Sequence, residues 1–157
     1  MENIVFRNNS AGNGAGALNI EEGGNITLVN VSCIGNKIPS SGYYFASVIS
    51  FSKSQATRII NSYFYGNVGS LGTVVYASTI GNEHYINNTI FDSNKVDGNI
   101  YTSSSTVYID NSKIINTINA TNGYATVFIN SLNITISRTL ITGMTKVFYM
   151  IIKYVCR

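Results

Sequence analysis

At 157 residues the chain is one domain's length and long enough to bury a core, yet only 11% of it is charged, against about a quarter in soluble domains. Its polarity is carried by 21 Asn, 18 Ser and 14 Thr beside 22 Ile, a bias that AT-rich coding DNA also produces; with one Pro and no Trp, the mix favours strands and turns over helices. The net charge of +3 offers nucleic acid no surface, because Arg138, Lys146, Lys153 and Arg157 are dispersed rather than clustered among aromatics.

The opening residues "MENIVFRNNS" contain no apolar h-region, so no signal peptide is expected within this stretch. They place Asn3 three residues before Phe6, and Phe6 three before Asn9. The unit N-x-x-F-x-x-N returns at Asn61/Phe64/Asn67 and at Asn88/Phe91/Asn94. With substitutions it also fits Asn30, Asn111 and Arg138, which put Cys33, Ile114 and Ile141 in the Phe slot. Taking the first residue of each unit as position 0, the six units start 27, 31, 27, 23 and 27 residues apart. A constant core with variable spacing is the mark of stacked coils carrying loop insertions.

Ahead of the last five units, positions −4 and −2 are mostly apolar: Ile26/Leu28, Thr57/Ile59, His84/Ile86, Val107/Ile109 and Ile134/Ile136. They alternate with more polar neighbours, as in a strand with one buried face. The next apolar column falls at +3, so inward parity is even before position 0 and odd after it. A straight strand cannot change parity, because a one-residue slip turns every side chain over. A corner is therefore predicted at position 0, where Asn tolerates the left-handed backbone region and can stack into an amide ladder. A second corner is predicted at +6 (Asn9, Asn36, Asn67, Asn94). Glycines follow (Gly14, Gly42, Gly72, Gly98, Gly123), each leading to a third apolar stretch such as "ASVISFS", "TVVYAS" or "ATVFIN".

Three short strands per turn describe an all-β fold, a right-handed parallel β-helix (solenoid) of about six coils of roughly 27 residues, forming one domain over 1–157. With coils rising about 4.8 Å each, Cys33 and Cys156 lie on the order of 20 Å apart, so two free thiols are expected, with Cys33 buried. Asn3 leaves room for only two residues before it, so an uncapped or truncated N-terminus and a longer parent solenoid are expected. The late apolar stretch "VFYMII" is far short of a membrane span, and no membrane insertion by this segment is expected.

The recurring "FRNN", "FYGN" and "FDSN", with the small-residue strand opening "GAGAL", resemble the repeats of the chlamydial polymorphic membrane proteins, which pair F-x-x-N with G-G-A-[ILV], and of similar protist surface proteins. The resemblance covers coils one, three and four directly and the others by substitution, and "GAGAL" only approximates the second motif. It implies an extracellular or cell-surface β-helix used in adhesion and display, and it transfers no site residue.

Polysaccharide lyases and hydrolases also use such folds, and glycoside hydrolysis needs two carboxylates facing one groove. Glu2, Glu21, Glu22, Glu83, Asp92, Asp97 and Asp110 share no column on adjacent coils, and read as solvated turn charges. His84, alone at −4 in an apolar column, reads as a structural slot rather than a base. No catalytic, cofactor-binding or metal-binding residue is assigned, and no cofactor is expected. Six sequons occur, at Asn8, Asn25, Asn30, Asn87, Asn119 and Asn133, near the number chance supplies. Tyr85 and Tyr108 fall at the outward −3 position of neighbouring coils, where they form either a sugar-stacking platform or a cross-strand aromatic pair. The expected function is a non-catalytic, adhesin-like segment binding glycan or protein along one face; the alternative is a fragment of a polysaccharide-degrading β-helix enzyme.

Overall fold

The computed structural model describes residues 1–11, 15–37, 47–69, 73–78, 81–96, 98–103, 105–118, 128–129, 133–143 and 149–150. Several residues singled out from the sequence lie outside these: Asp97, Asn119, Cys156, Lys146, Lys153, Arg157 and the glycines at 14, 42, 72 and 123.

Among the described residues every strand pairing is parallel, and the strands form the three faces of a β-solenoid. The first face stacks the front half of β3 (Asn25–Ile34), β5 (Ala56–Ile60), β8 (Glu83–Asn87), β11 (Thr106–Asp110) and β14 (Asn133–Ser137). The second stacks β1 (Glu2–Arg7), the back half of β3, β6 (Tyr63–Tyr65), β9 (Ile90–Asp92), β12 (Lys113–Ile115) and β15 (Leu140–Thr142). The third is a sheet of β2 (Ala15–Glu21), β4 (Ser47–Ser52), β7 (Thr73–Ser78) and β10 (Gly98–Ser103). A separate pair, β13 (Phe128–Ile129) and β16 (Tyr149–Met150), follows. Four turns are thus closed by unbroken sheets, fewer than the six coils expected, although six strands do stack on the second face.

The corner at position 0 is where the parity change requires it. Asn3, Asn30, Asn61, Asn88, Asn111 and Arg138 all have φ between 45° and 58°, the left-handed region. Backbone pairing continues around the bend, as in Asn88 N–H to Asp110 O at 3.1 Å and Ile90 N–H to Ser62 O at 2.9 Å. At this exposed corner Asn30 Nδ2 donates to Asn3 Oδ1 at 3.0 Å, and Asn111, Asn88 and Asn61 form the expected amide ladder, Asn111 Nδ2 donating to Asn88 Oδ1 at 3.4 Å and Asn88 Nδ2 to Asn61 Oδ1 at 2.7 Å.

The second corner differs from expectation by one residue. The left-handed positions are at +5: Asn8, Gly35, Gly66, Ser93, Asn116 and Gly143. The +6 asparagines come just after the bend; Asn9, on the first coil, is exposed, whereas Asn36, Asn67 and Asn94 are turned into the core, completely buried, and form a second ladder there. Each Oδ1 accepts the backbone N–H and the side-chain amide of the coil before it: Asn36 N and Nδ2 reach Asn67 Oδ1 at 3.0 and 3.1 Å, and Asn67 N and Nδ2 reach Asn94 Oδ1 at 3.0 and 2.9 Å. The second amide hydrogen goes to a carbonyl, Phe6 O from Asn36, Cys33 O from Asn67 and Phe64 O from Asn94. Every amide hydrogen and oxygen is used, which is what makes a buried polar column tolerable. This explains why an apolar residue so often stands three places before an asparagine: the first fills the core at +3, and the second closes the corner from inside at +6.

The +3 column is the core stack. Cys33, Phe64, Phe91 and Ile114 are fully buried, and the Phe64 and Phe91 rings stack with centroids 4.9 Å apart. Cys33 is a free thiol, and burial pushes it up to about 12. The −2 column (Leu28, Ile59, Ile86, Ile109) completes the first-face wall. A hydroxyl ladder that the sequence did not suggest lines position +1, where the N–H of Val31, Ser62, Thr89 and Ser112 each donates to the hydroxyl of Ser62, Thr89, Ser112 and Thr139 on the following coil.

Candidate ligand-binding face

On the first face positions −5, −3 and −1 point outward. The strand pairings align Ala56, Glu83 and Thr106 at −5, Arg58, Tyr85, Tyr108 and Thr135 at −3, and Ile60, Asn87, Asp110 and Ser137 at −1. The surface is therefore mostly hydroxyl, amide and phenol. Tyr85 and Tyr108 stack with centroids 4.6 Å apart and planes within 9°, and the Arg58 guanidinium lies 5.3 Å from the Tyr85 ring. Rings on in-register parallel strands lie one above the other along the solenoid, so they consume each other's faces. Tyr85 is sandwiched between Arg58 and Tyr108, and the surface displays ring edges and hydroxyls. A broad sugar-stacking platform is thus replaced by an aromatic ladder with polar tips; the Tyr85 hydroxyl donates to Glu83 Oε2 at 2.7 Å.

Asp110 is the anchored charge of this face. Arg138 pairs with it, its Nε donating to Oδ1 at 2.9 Å, and Ser137 Oγ donates to the same oxygen at 2.8 Å. The Arg138 and Ser137 hydrogen bonds hold its carboxyl down to about 2. Asp110 is therefore an ionised acceptor across the physiological range.

The remaining carboxylates do not converge with it. Asp110 is directly opposite Asn87, four residues along the strand from Glu83. At about 3.3 Å per residue and about 4.8 Å between strands, the Cα atoms of Glu83 and Asp110 lie about 14 Å apart, and the Asp110 carboxylate is turned to Ser137 and Arg138 on the following coil, away from Glu83 rather than into the facing pair that glycosidases use. Asp92 is on the second face, accepting from Ser93 Oγ at 2.8 Å and Asn116 Nδ2 at 3.1 Å. Glu21 accepts from Asn19 Nδ2 at 2.9 Å, and Glu22 pairs with Lys53 at a third corner, where Glu22, Lys53 and Gly81 have positive φ. Glu2 lies at the start of β1. Among the described residues no three His, Cys, Asp or Glu side chains approach closely enough to hold a metal ion, and no helix is long and apolar enough to cross a membrane.

His84 is buried between coils. Its Nδ1 is 2.8 Å from Thr57 Oγ1 and its Nε2 is 3.1 Å from Ser105 Oγ. Because Ser105 Oγ donates to Ser103 O, it accepts from Nε2–H, leaving Nδ1 to accept from Thr57. Burial pushes the imidazole down to about 4, so it is neutral and serves as a polar filler of the −4 column.

Sequon residues Asn8, Asn25, Asn30, Asn87 and Asn133 are all exposed. Two further tyrosine stacks, Tyr63/Tyr65 on the second face and Tyr76/Tyr101 on the third, have centroids 5.7 and 5.2 Å apart; same-face spacing along one strand and register between coils were the signals for them. No protein-family model, curated protein or solved structure matches this chain.

Proposed function

We propose that this chain is a non-catalytic segment of a surface or secreted protein that binds a glycan along the first face of its solenoid. The observation that carries the reading is the Tyr85–Tyr108 ladder set among Glu83, Asn87, Asp110, Thr106 and Ser137. Phenol edges, amides and hydroxyls supply the short-range, neutral hydrogen bonding that suits sugar hydroxyls, and tyrosine presents large contact area with little side-chain entropy to lose. Asp110, held ionised by Arg138, adds a fixed acceptor. The resemblance of the F-x-x-N repeats to surface adhesins points the same way. The separation of Glu83 from Asp110 argues against the alternative of a polysaccharide-degrading enzyme fragment.

The test is retention on a panel of immobilised polysaccharides, with Tyr85→Ala and Tyr108→Ala beside the wild type. Both positions point outward, so the variants fold. Loss of retention by at least about tenfold in both, with unchanged circular dichroism, is expected from hot-spot aromatics. Retention by none of the panel, or retention indifferent to both substitutions, overturns the reading.

A further inference from the structure

The chain has 11 tyrosines, and among the described residues three pairs of them stack. Tyr85 and Tyr108 are the closest pair, with centroids 4.6 Å apart and planes within 9°, and they sit directly opposite each other on consecutive in-register strands. Matching ring atoms therefore lie one above the other, the Cε carbons beside each hydroxyl included. Arg58 covers the other side of Tyr85, which leaves Tyr108 as its aromatic neighbour. Both residues are half-buried on an outward face. The Tyr85 hydroxyl donates to Glu83 Oε2 at 2.7 Å, so a carboxylate stands at the phenol proton. That hydrogen bond pushes the phenol up, which keeps it protonated at neutral pH. A phenol that loses an electron becomes a strong acid, and a base already bonded to it lets the electron and proton leave together.

We infer that Tyr85 and Tyr108 are a site of oxidative cross-linking, joined through their Cε carbons as dityrosine by hydrogen peroxide and a haem peroxidase. The peroxidase takes one electron from each phenol. The Tyr85 proton passes to Glu83 Oε2 and the Tyr108 proton to water. Each unpaired electron is shared with the ring carbons beside the oxygen, and the two electrons pair as a carbon–carbon bond between a Cε of Tyr85 and a Cε of Tyr108. The hydrogen on each joined carbon then moves to its own oxygen and restores the phenol. In sum the pair loses two hydrogens and one peroxide is reduced to two waters. Rotation of the two rings about their side-chain bonds, open to them on the outward face, closes the gap from stacking contact to bond.

The other stacks suit this chemistry less. Tyr63 and Tyr65 belong to one strand, with centroids 5.7 Å apart and planes 17° from parallel. In the Tyr76–Tyr101 pair, Tyr76 is only 6% exposed, out of a peroxidase's reach. The Tyr85–Tyr108 bond ties β8 to β11, so these two coils of the first face unfold only together. The inference rests on ring geometry and on Glu83, and does not depend on the glycan reading.

The test treats the dilute intact chain with hydrogen peroxide and a haem peroxidase, then digests the monomer with trypsin and a glutamate-specific protease. These cuts isolate Tyr85 in 84–95, leave Tyr63, Tyr65 and Tyr76 in 59–83, and place Tyr101 and Tyr108 in 96–113. The expected product is 84–95 joined to 96–113, lighter by two hydrogens and carrying dityrosine fluorescence. Tyr85→Phe and Tyr108→Phe keep the rings, so the variants fold, and each abolishes the product. Urea, which parts the coils, abolishes it too. Glu83→Gln keeps the side chain's shape but cannot take the proton; scored on tryptic 59–95 joined to 96–113, it slows cross-linking by about tenfold. A chain left unlinked under conditions that couple free tyrosine overturns the inference. So does a bond from 59–83 to 96–113 in place of the expected one, a product that survives Tyr108→Phe or urea, or a Glu83→Gln rate equal to the wild type.

Discussion

Replacing Asn67 tests the internal amide ladder directly. Its side chain makes four hydrogen bonds at zero exposure: Oδ1 accepts from Asn36 N and Nδ2, and Nδ2 donates to Cys33 O and Asn94 Oδ1. At about 1 kcal/mol net for each bond, Asn67→Leu costs about 4 kcal/mol and strands a buried N–H at Asn36 and a buried carbonyl at Cys33. For a chain of this length that lowers the melting temperature by about 8–16 °C. Asn67→Asp is more diagnostic. A carboxylate there accepts from Asn36 but turns an oxygen toward Cys33 O and Asn94 Oδ1, so the folded state demands a proton. Its folded pKa lies above the unfolded value of about 3.9, so stability relative to the wild type is lost as pH rises through that window. Asn61→Asp, at the exposed corner, keeps an acceptor for Asn88 Nδ2 and shows no such dependence. Thermal melts of the four proteins between pH 4 and 8 make the comparison. An Asn67→Leu variant melting within a degree or two of the wild type, or an Asn67→Asp variant indifferent to pH, refutes the ladder as a stabilising element.

Three further outcomes follow from the buried groups. His84 titrates near 4 when folded against 6.5 when free, so the unfolded chain binds the extra proton between those values. Stability is full above about pH 6.5, falls by up to about 3 kcal/mol on approaching pH 4 and is flat below it; His84→Val abolishes this slope in urea titrations, and a slope retained in the variant contradicts the assignment. Gly35 has φ of 62° with a Cβ position 2.6 Å from Asn8 Oδ1, whereas Gly66, at φ of 60°, has open space. Gly35→Ala therefore costs about 2–3 kcal/mol and Gly66→Ala about 1–2, and equal melting points would show that the corner contact is relieved elsewhere. Cys33, held near 12 by burial, stays unmodified by iodoacetamide at pH 8 in the folded protein and reacts in urea, as read by peptide mapping; its alkylation without denaturant would contradict the packed +3 column.

The architecture was legible because repetition multiplies a weak signal. One F-x-x-N carries little information, but five units with the same parity change require a corner at position 0, and even Arg138, the loosest copy, adopts the left-handed backbone there. The +6 asparagines mark the second corner in the sequence, but the bend itself falls one residue earlier, at +5. Their inward turn depends on a left-handed residue at +5 whose identity varies among Asn, Gly and Ser. The hydroxyl ladder at +1 was missed because Ile4 and Val31 occupy its first two positions, so the column reads as apolar from the N-terminal side. The Tyr85–Tyr108 pairing followed from register alone, but the direction in which the rings stack is set by strand geometry and no residue pattern encodes it. The third corner, at Glu22, Lys53 and Gly81, shares no residue type and left no signal.

Binding without turnover is tested most directly by incubating the protein at high concentration with each polysaccharide of the panel and following both phases by mass spectrometry. The expected result is retention on at least one polymer with its chain length unchanged after prolonged contact. Release of oligosaccharides that disappears in Glu83→Gln or Asp110→Asn would contradict it, and would make the first face a catalytic groove.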